Sequence, residues 1–378
     1  MDNIKYQGAM PYFPAEDRVI ILKEIEKVLT SGQLTQGVHL KEFEQLCARM
    51  TGIKYAFGVN SGGTALELVL TALKIDGGEV IVPTDTFVAT PNSVVRAGGV
   101  PVFADISEKN LAISVESLES CITRNTRGVI LVHMFGLMAT QIKDIQELCK
   151  KNNLFLMEDA AHAHGATYLG KPAGSLGIAG CFSYYATKVL TTGEGGAITT
   201  DNNDLAVAVK SLRDHGRAVS GTEFDRAGNN FRLAEIPAIL GVHQHKRLEE
   251  IVRHAREIAS IYHETLKTCE LLTAIDPEPH ECNSYWRYPI LLDKRINRND
   301  IQKKMAQEFY TRITWMYEPL CHQQPYYAAK HNSPSKFPVA IDVISRLINL
   351  PTHMSIGKDG ARSIAEGLLK LVRCHNNS

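Results

Sequence analysis

The chain has 378 residues, and its 41 lysines and arginines are balanced by 41 aspartates and glutamates. At about 100–200 residues per domain, this length implies two or three domains around a substantial core and excludes a small disulfide-stapled module. Neutral overall charge without long like-charge runs removes the footprint of a nucleic-acid or anionic-membrane binder, leaving small molecules and further copies of the chain as expected partners.

The N-terminal region mixes acids and bases through its only apolar stretch, and nowhere do 18 uncharged apolar residues run together. This predicts a cytoplasmic protein with no membrane span. Its eight cysteines are scattered without a C-x-x-C pair, which fits reduced thiols better than a disulfide frame or a zinc cluster.

Leu22, Ile25, Val28 and Leu29 recur at helical spacing between Asp17 and Thr30, and Ser31-Gly32 offers a stop. From Tyr55 onward short apolar runs alternate with helical patterns. The spacing predicts strands at 55–59, 79–82 and 101–103, with helices at 64–73 and 89–97 between them, hence a sheet covered by helices on both faces. Residues 129–133, 140–152 and 154–157 then read as strand, amphipathic helix and strand, one right-handed βαβ unit. Two more short runs, 181–185 and 197–200, flank a glycine-rich loop at 187–196. Beyond Gln244 the pattern changes to long helices at 246–269, 298–309 and 359–372 around one apolar run, 288–292. The expected organisation is α/β, with a large domain over 1–245 and a smaller C-terminal α/β domain over 246–378.

Several residues in this frame carry chemistry. Asp159 ends a central strand, and in open α/β sheets ligands sit beyond the carboxyl ends of strands. A helix N-cap is the plain alternative for this residue. Lys188 lies 29 positions on, between an apolar strand and the glycine-rich loop. A buried lysine there is an amine nucleophile suited to Schiff-base formation, while a solvated one is merely a surface charge. Pyridoxal phosphate needs both: a lysine for its aldehyde and an aspartate for its pyridinium nitrogen. Its phosphate finds bare amides and a positive helix end where residues 60–64, with Gly62, Gly63 and Thr64, open the next helix. Ser183 can turn its hydroxyl toward that phosphate, or be satisfied within the sheet, and the same choice applies to Asn230. His162 and His164 beside Glu158 and Asp159 lack the i, i+4 spacing of helical zinc motifs, and no metal is expected.

The blocks SGQLTQG (31–37), VNSGGTAL (59–66), PTDTFVAT (83–90), VHMFG (132–136), EDAAHAHGA (158–166), GSLG (174–177), CFSYYATK (181–188), GEGG (193–196), RDHGR (213–217), GNNFRL (228–233) and LPTH (350–353) follow in one order. Through almost the whole chain they resemble the DegT/DnrJ/EryC1/StrS sugar aminotransferases, pyridoxal-phosphate enzymes of fold type I. The resemblance implies a mixed, mostly parallel sheet in the large domain. It implies Lys188 as the Schiff-base lysine and general acid/base, Asp159 on the ring nitrogen, His162 beside the ring and its phenolic oxygen, and Phe87 stacked on the ring. Gly62, Gly63, Thr64 and Ser183 match the phosphate cradle, and Asn230 matches an asparagine contributed by the other subunit of a homodimer with shared sites. His215, Arg217 and Arg232 fall in matching blocks near the expected dimer site, placed either to meet acidic groups of donor or acceptor or to form structural salt bridges, and His322 is the substrate candidate in an imperfectly matched block.

Three departures stand out: Gly63 replaces a threonine, position 162 is histidine where glutamine is also common, and residues 319–325 copy the family's block imperfectly. The implied reaction moves an amino group from an amino acid, by family habit L-glutamate, to the keto or aldehyde carbon of a sugar. That sugar is most often nucleotide-linked and destined for a polysaccharide or amino sugar. An unlinked acceptor such as an oxidised octulosonate, another fold-type-I reaction such as sugar dehydration, and a sensor that binds the cofactor without turnover are the alternatives. Lysine at 188, where the dehydratase branch has histidine, favours transamination.

Overall fold

A computed structural model describes residues 4–275, 277–329 and 337–374. Seven strands form the main sheet: β1 (Tyr55–Val59), β2 (Glu79–Pro83), β3 (Val100–Ala104), β4 (Thr126–Val132), β5 (Phe155–Asp159), β6 (Gly180–Ser183) and β7 (Gly196–Thr200). Their spatial order is β1-β7-β6-β5-β4-β2-β3. The neighbours from β6 to β3 pair in parallel, whereas β7 runs antiparallel to both β6 and β1. This is the mixed, mostly parallel sheet that the family resemblance implies.

Both faces of the sheet are covered, which is why its strands read as nearly continuous apolar runs. Along β4, Ile130 and Val132 pack into one core with Val59, Leu66, Val80, Met157 and Ile198. Val129 and Leu131 face the other way, into a core with Phe43, Ile81, Leu156, Phe182 and Val242. The first four helices are α1 (Ala15–Ser31), α2 (Val38–Thr51), α3 (Gly62–Ala72) and α4 (Ala89–Arg96). Helix α1 stops where Gly32 takes the left-handed conformation, as the Ser31-Gly32 pair predicts.

A third core gathers Tyr262, Leu266, Tyr288, Ile290, Ile301, Ile348, Ile364 and Leu368. It joins helices Leu248–Leu266, Arg298–Phe309 and Lys358–Cys374 to an antiparallel sheet of Leu272–Ala274, Tyr288–Leu292 and Leu347–Leu350. Sequence periodicity gives one of these three strands. The helix expected at 246–269 is divided instead: Glu235–Lys246 ends, Arg247 leaves helical geometry, and Leu248–Leu266 begins. The Arg247 guanidinium holds Glu16, Asp17 and Glu250 at this junction.

The C-terminal half also contributes to the main core through Trp286, Leu320, Cys321, Tyr327 and Ile344. Asp105, just past β3, accepts from the Val339 and Ala340 N–H groups at the start of helix Pro338–Arg346. A carboxylate at a helix N-terminus satisfies orphan donors and meets the positive end of the helix dipole. The Cys321 N–H donates to the Thr84 carbonyl and the Tyr317 N–H to Asp85 Oδ1, which sets this segment beyond the carboxyl end of β2.

Candidate active site

Strand β5 delivers two buried carboxylates to opposite faces. Glu158 accepts from the N–H groups of Gly174, Leu176 and Gly177 and bonds His133 Nε2 at 2.9 Å. Every lone-pair direction of that group is spoken for by the scaffold. Asp159, on the other face, accepts only from Thr90 Oγ1 at 2.8 Å and the Ala161 N–H at 3.2 Å. It borders a cavity of about 610 Å³, within the roughly 300–1,000 Å³ of small-molecule sites. Burial raises the Asp159 pKa, opposed by its two hydrogen bonds and by Lys188. A cation in the cavity would hold this carboxyl ionised.

Lys188 lines the same cavity. Burial pushes its amine down to about 7, with Asp159 pulling upward and Arg287 downward. Its Nζ lies 4.4 Å from the centre of the Trp286 ring, and Trp286 Nε1 donates to the Thr187 carbonyl. The indole therefore fixes both the lysine head and the backbone beside it.

His162 also stacks on Trp286, at 4.0 Å between ring centres. Its Nδ1 accepts the Phe135 N–H at 3.3 Å, which places the proton of the neutral ring on Nε2, 3.4 Å from Tyr317 Oη. His162 thus donates to the tyrosine oxygen, and burial keeps it neutral by lowering its pKa well below the ordinary value. Phe87 also lines the cavity, with its ring 5.3 Å from that of Tyr317.

Helix α3 points its N-terminus at the cavity, which Ser61, Gly62 and Gly63 line together with Ser183 of β6. A Cβ at Gly62 would come within 2.7 Å of Ser183 Cβ, so only glycine permits this approach of helix start and strand. Gly63 differs: a Cβ there would meet nothing closer than Ala89 Cβ at 3.6 Å, an ordinary contact. The Thr64 hydroxyl accepts from Ser61 Oγ at 2.9 Å, and the Thr64 N–H donates back to Ser61 at 3.1 Å. Thr64 thereby completes a helix cap and is not among the residues lining the cavity.

The remaining expected positions lie elsewhere in the chain. Asn230 is exposed and bridges Asp214. Arg217 and Arg232 both pair with Asp214, while His215, the next residue after Asp214, sits at a left-handed turn with φ of 59°. His322 is buried, 2.6 Å from Thr84 Oγ1 through Nδ1 and packed on Phe337, away from the cavity wall. Sequence reasoning missed Thr90, Trp286, Arg287, Met316 and Tyr317. The available signals were small: a threonine one helical turn after Thr86, and one of only two tryptophans, followed by an arginine that abuts an apolar strand. Among the described residues no His, Cys, Asp and Glu cluster is arranged to hold a metal, and no helix is long and apolar enough to cross a membrane.

The geometry fits pyridoxal phosphate: a carboxylate for the ring nitrogen, a deprotonatable lysine, and amides at a helix start with a serine for the phosphate. The DegT/DnrJ/EryC1/StrS aminotransferase family model matches residues 16–369. The chain is 32% identical over 366 residues to the GDP-perosamine synthase of Escherichia coli O157:H7, covering 95% of this chain and 98% of that protein. It is 31% identical over 369 residues to the UDP-4-amino-4,6-dideoxy-N-acetyl-beta-L-altrosamine transaminase of Helicobacter pylori, covering 95% and 96%. Among solved structures, Helicobacter pylori PseC, an aminotransferase of pseudoaminic acid biosynthesis, superposes with a TM-score of 0.90 at 29% identity over 98% of this chain and 99% of its own. The chain belongs to the DegT/DnrJ/EryC1/StrS aminotransferase family and shares its pyridoxal-phosphate-dependent, fold-type-I architecture.

Proposed function

We propose that the protein transfers an amino group from an α-amino acid, with L-glutamate the first candidate, to the carbonyl of a nucleotide-linked sugar. The observation that carries this reading is the convergence of Lys188, Asp159 and the start of α3 on one cavity. When bound, pyridoxal phosphate supplies an aldehyde for amine exchange and a ring that delocalises the electron pair left when a proton departs.

The chain's own residues then divide the work. Lys188, with its amine pushed to about 7, holds the cofactor and, once displaced, moves a proton near neutral pH. Asp159 ion-pairs the ring nitrogen, and Thr90 orients that carboxylate. His162 and Phe87 bound the ring space, with His162 oriented by Phe135 and Tyr317. Ser183 and the amides of Gly62 and Gly63 receive the phosphate. The division of the chain at 245/246 belongs to this reading, supported by the break at Arg247 and the separate core beyond it.

The same reading includes a homodimer with shared sites. Its support is the set of exposed apolar side chains in and after α1, Leu22 and Leu29 on one face of the helix followed by Leu34 and Val38. The exposed segment that carries Asn230 is a second support, because this phosphate-matched asparagine is open to solvent and does not line its own cavity.

The test is a two-stage assay. Cofactor-loaded protein is mixed with L-glutamate, 2-oxoglutarate is quantified against sites, and nucleotide-linked keto sugars are then added. One 2-oxoglutarate per site followed by an aminated sugar is expected. Release of no oxo acid with any amino acid would overturn the reading.

A further inference from the structure

Arg287 immediately precedes the buried strand Tyr288–Leu292 and is itself only 5% exposed. No carboxylate pairs with it among the described residues. Its single hydrogen bond runs from Nη1 to the Gly8 carbonyl, while Nε is buried without a partner and Nη2 makes no bond. Its guanidinium carbon lies 4.8 Å from the centre of the Trp286 ring, the same ring that carries Lys188 Nζ at 4.4 Å. Buried arginines are ordinarily paired, because an uncompensated charge away from water is strongly unfavourable. Here the unused edge, Nε with Nη2, is the side of the guanidinium that meets both oxygens of a carboxylate in parallel bonds.

We propose that Arg287 receives the α-carboxylate of the amino donor through this free edge, and so acts as the donor-binding residue of the site. The assignment rests on the transaminase reading above. The position selects the anion. The cofactor's phosphate belongs at the start of α3 with Ser183, whereas Arg287 packs on Trp286, the ring that also carries the Lys188 amine, and its charge is felt at Lys188, Tyr317 and His353. An amino acid's carboxylate is two bonds from the nitrogen that takes the place of the lysine amine, and so must lie close to Lys188. A sugar diphosphate is separated from its reacting carbon by much of the sugar ring.

The test compares cofactor-loaded wild type, Arg287→Met and Arg287→Lys, each in a Trp315→Phe background that leaves Trp286 as the fluorescent reporter. Two quantities are read: the apparent Kd and limiting rate for L-glutamate in the first half-reaction, and the Kd of 2-oxoglutarate, which binds this form without turnover. Arg287→Met is expected to weaken both Kd values about 100-fold, as befits loss of a bidentate charged pair, with cofactor uptake unchanged and the limiting rate altered far less. Arg287→Lys keeps the charge but not the fork and is expected to lose about tenfold; it carries the test if the methionine variant fails to load cofactor. Wild-type affinity for L-glutamate in either loaded variant, or a loss confined to the sugar nucleotide, would overturn the assignment. A wild-type protein that reacts with no amino acid would instead overturn the transaminase reading on which it rests.

Discussion

The two faces of strand β5 place a buried carboxylate each, one residue apart, in opposite circumstances. Glu158 is saturated by three backbone N–H groups and His133. Asp159 has two donors and an open cavity in front of it. Buried polar groups that are fully satisfied hold a fold together, whereas one left short of partners at a cavity is available to a ligand. The contrast predicts that these neighbours fail in different ways.

The largest effect is expected beyond the strand, at the lysine Asp159 faces. Lys188→Ala should lose about 10⁴-fold in turnover, the upper range for a positioned acid–base group, while unfolding at the wild-type midpoint; residual turnover near wild type would remove the lysine from the mechanism. Asp159→Asn should lose about 10²-fold in kcat through a weakened charge on the ring nitrogen, with stability equal or higher because a buried charge is gone. Glu158→Gln should do the reverse. Its new N–H₂ faces donors instead of accepting from them, which should cost about 2–3 kcal/mol, visible as a lower urea midpoint with kcat near wild type once cofactor is bound. If Glu158→Gln abolished kcat without destabilising, or Asp159→Asn destabilised without slowing turnover, the division of roles would be broken.

A smaller effect concerns pH. The Lys188 amine is pushed down to about 7 by burial, so its neutral, nucleophilic fraction grows as pH rises toward that value and saturates above it. Cofactor uptake by the apo-protein should therefore accelerate about tenfold per pH unit well below neutrality and level off above about 7. A rate still climbing steeply at pH 9 would mean an amine with an ordinary lysine pKa.

Legibility of the fold followed from periodicity and of the site from proximity in sequence. The main sheet was readable because its strands are short apolar runs with polar ends, and Asp159, Ser183 and Lys188 sit on or just beyond those ends. Helix α2 buries Leu40, Phe43 and Cys47 along one face, a spacing as legible as that of α1 but adjoining a motif whose glycines and threonine read as loop. Trp286, Arg287 and Tyr317 were missed for a different reason. They come from irregular segments whose importance arises only when the C-terminal half packs over the sheet, which no local pattern encodes. The expected roles of Thr64 and His322 rested on matched position, and each hydroxyl or ring nitrogen instead finds a local partner, Ser61 and Thr84.

The most direct test of the account is to treat the cofactor-loaded protein with sodium borohydride, which fixes the cofactor covalently to the amine that holds it, and to map the modified peptide by mass spectrometry. The account predicts a single adduct on Lys188. An adduct on another lysine, or none in a protein that still performs transamination, would contradict it.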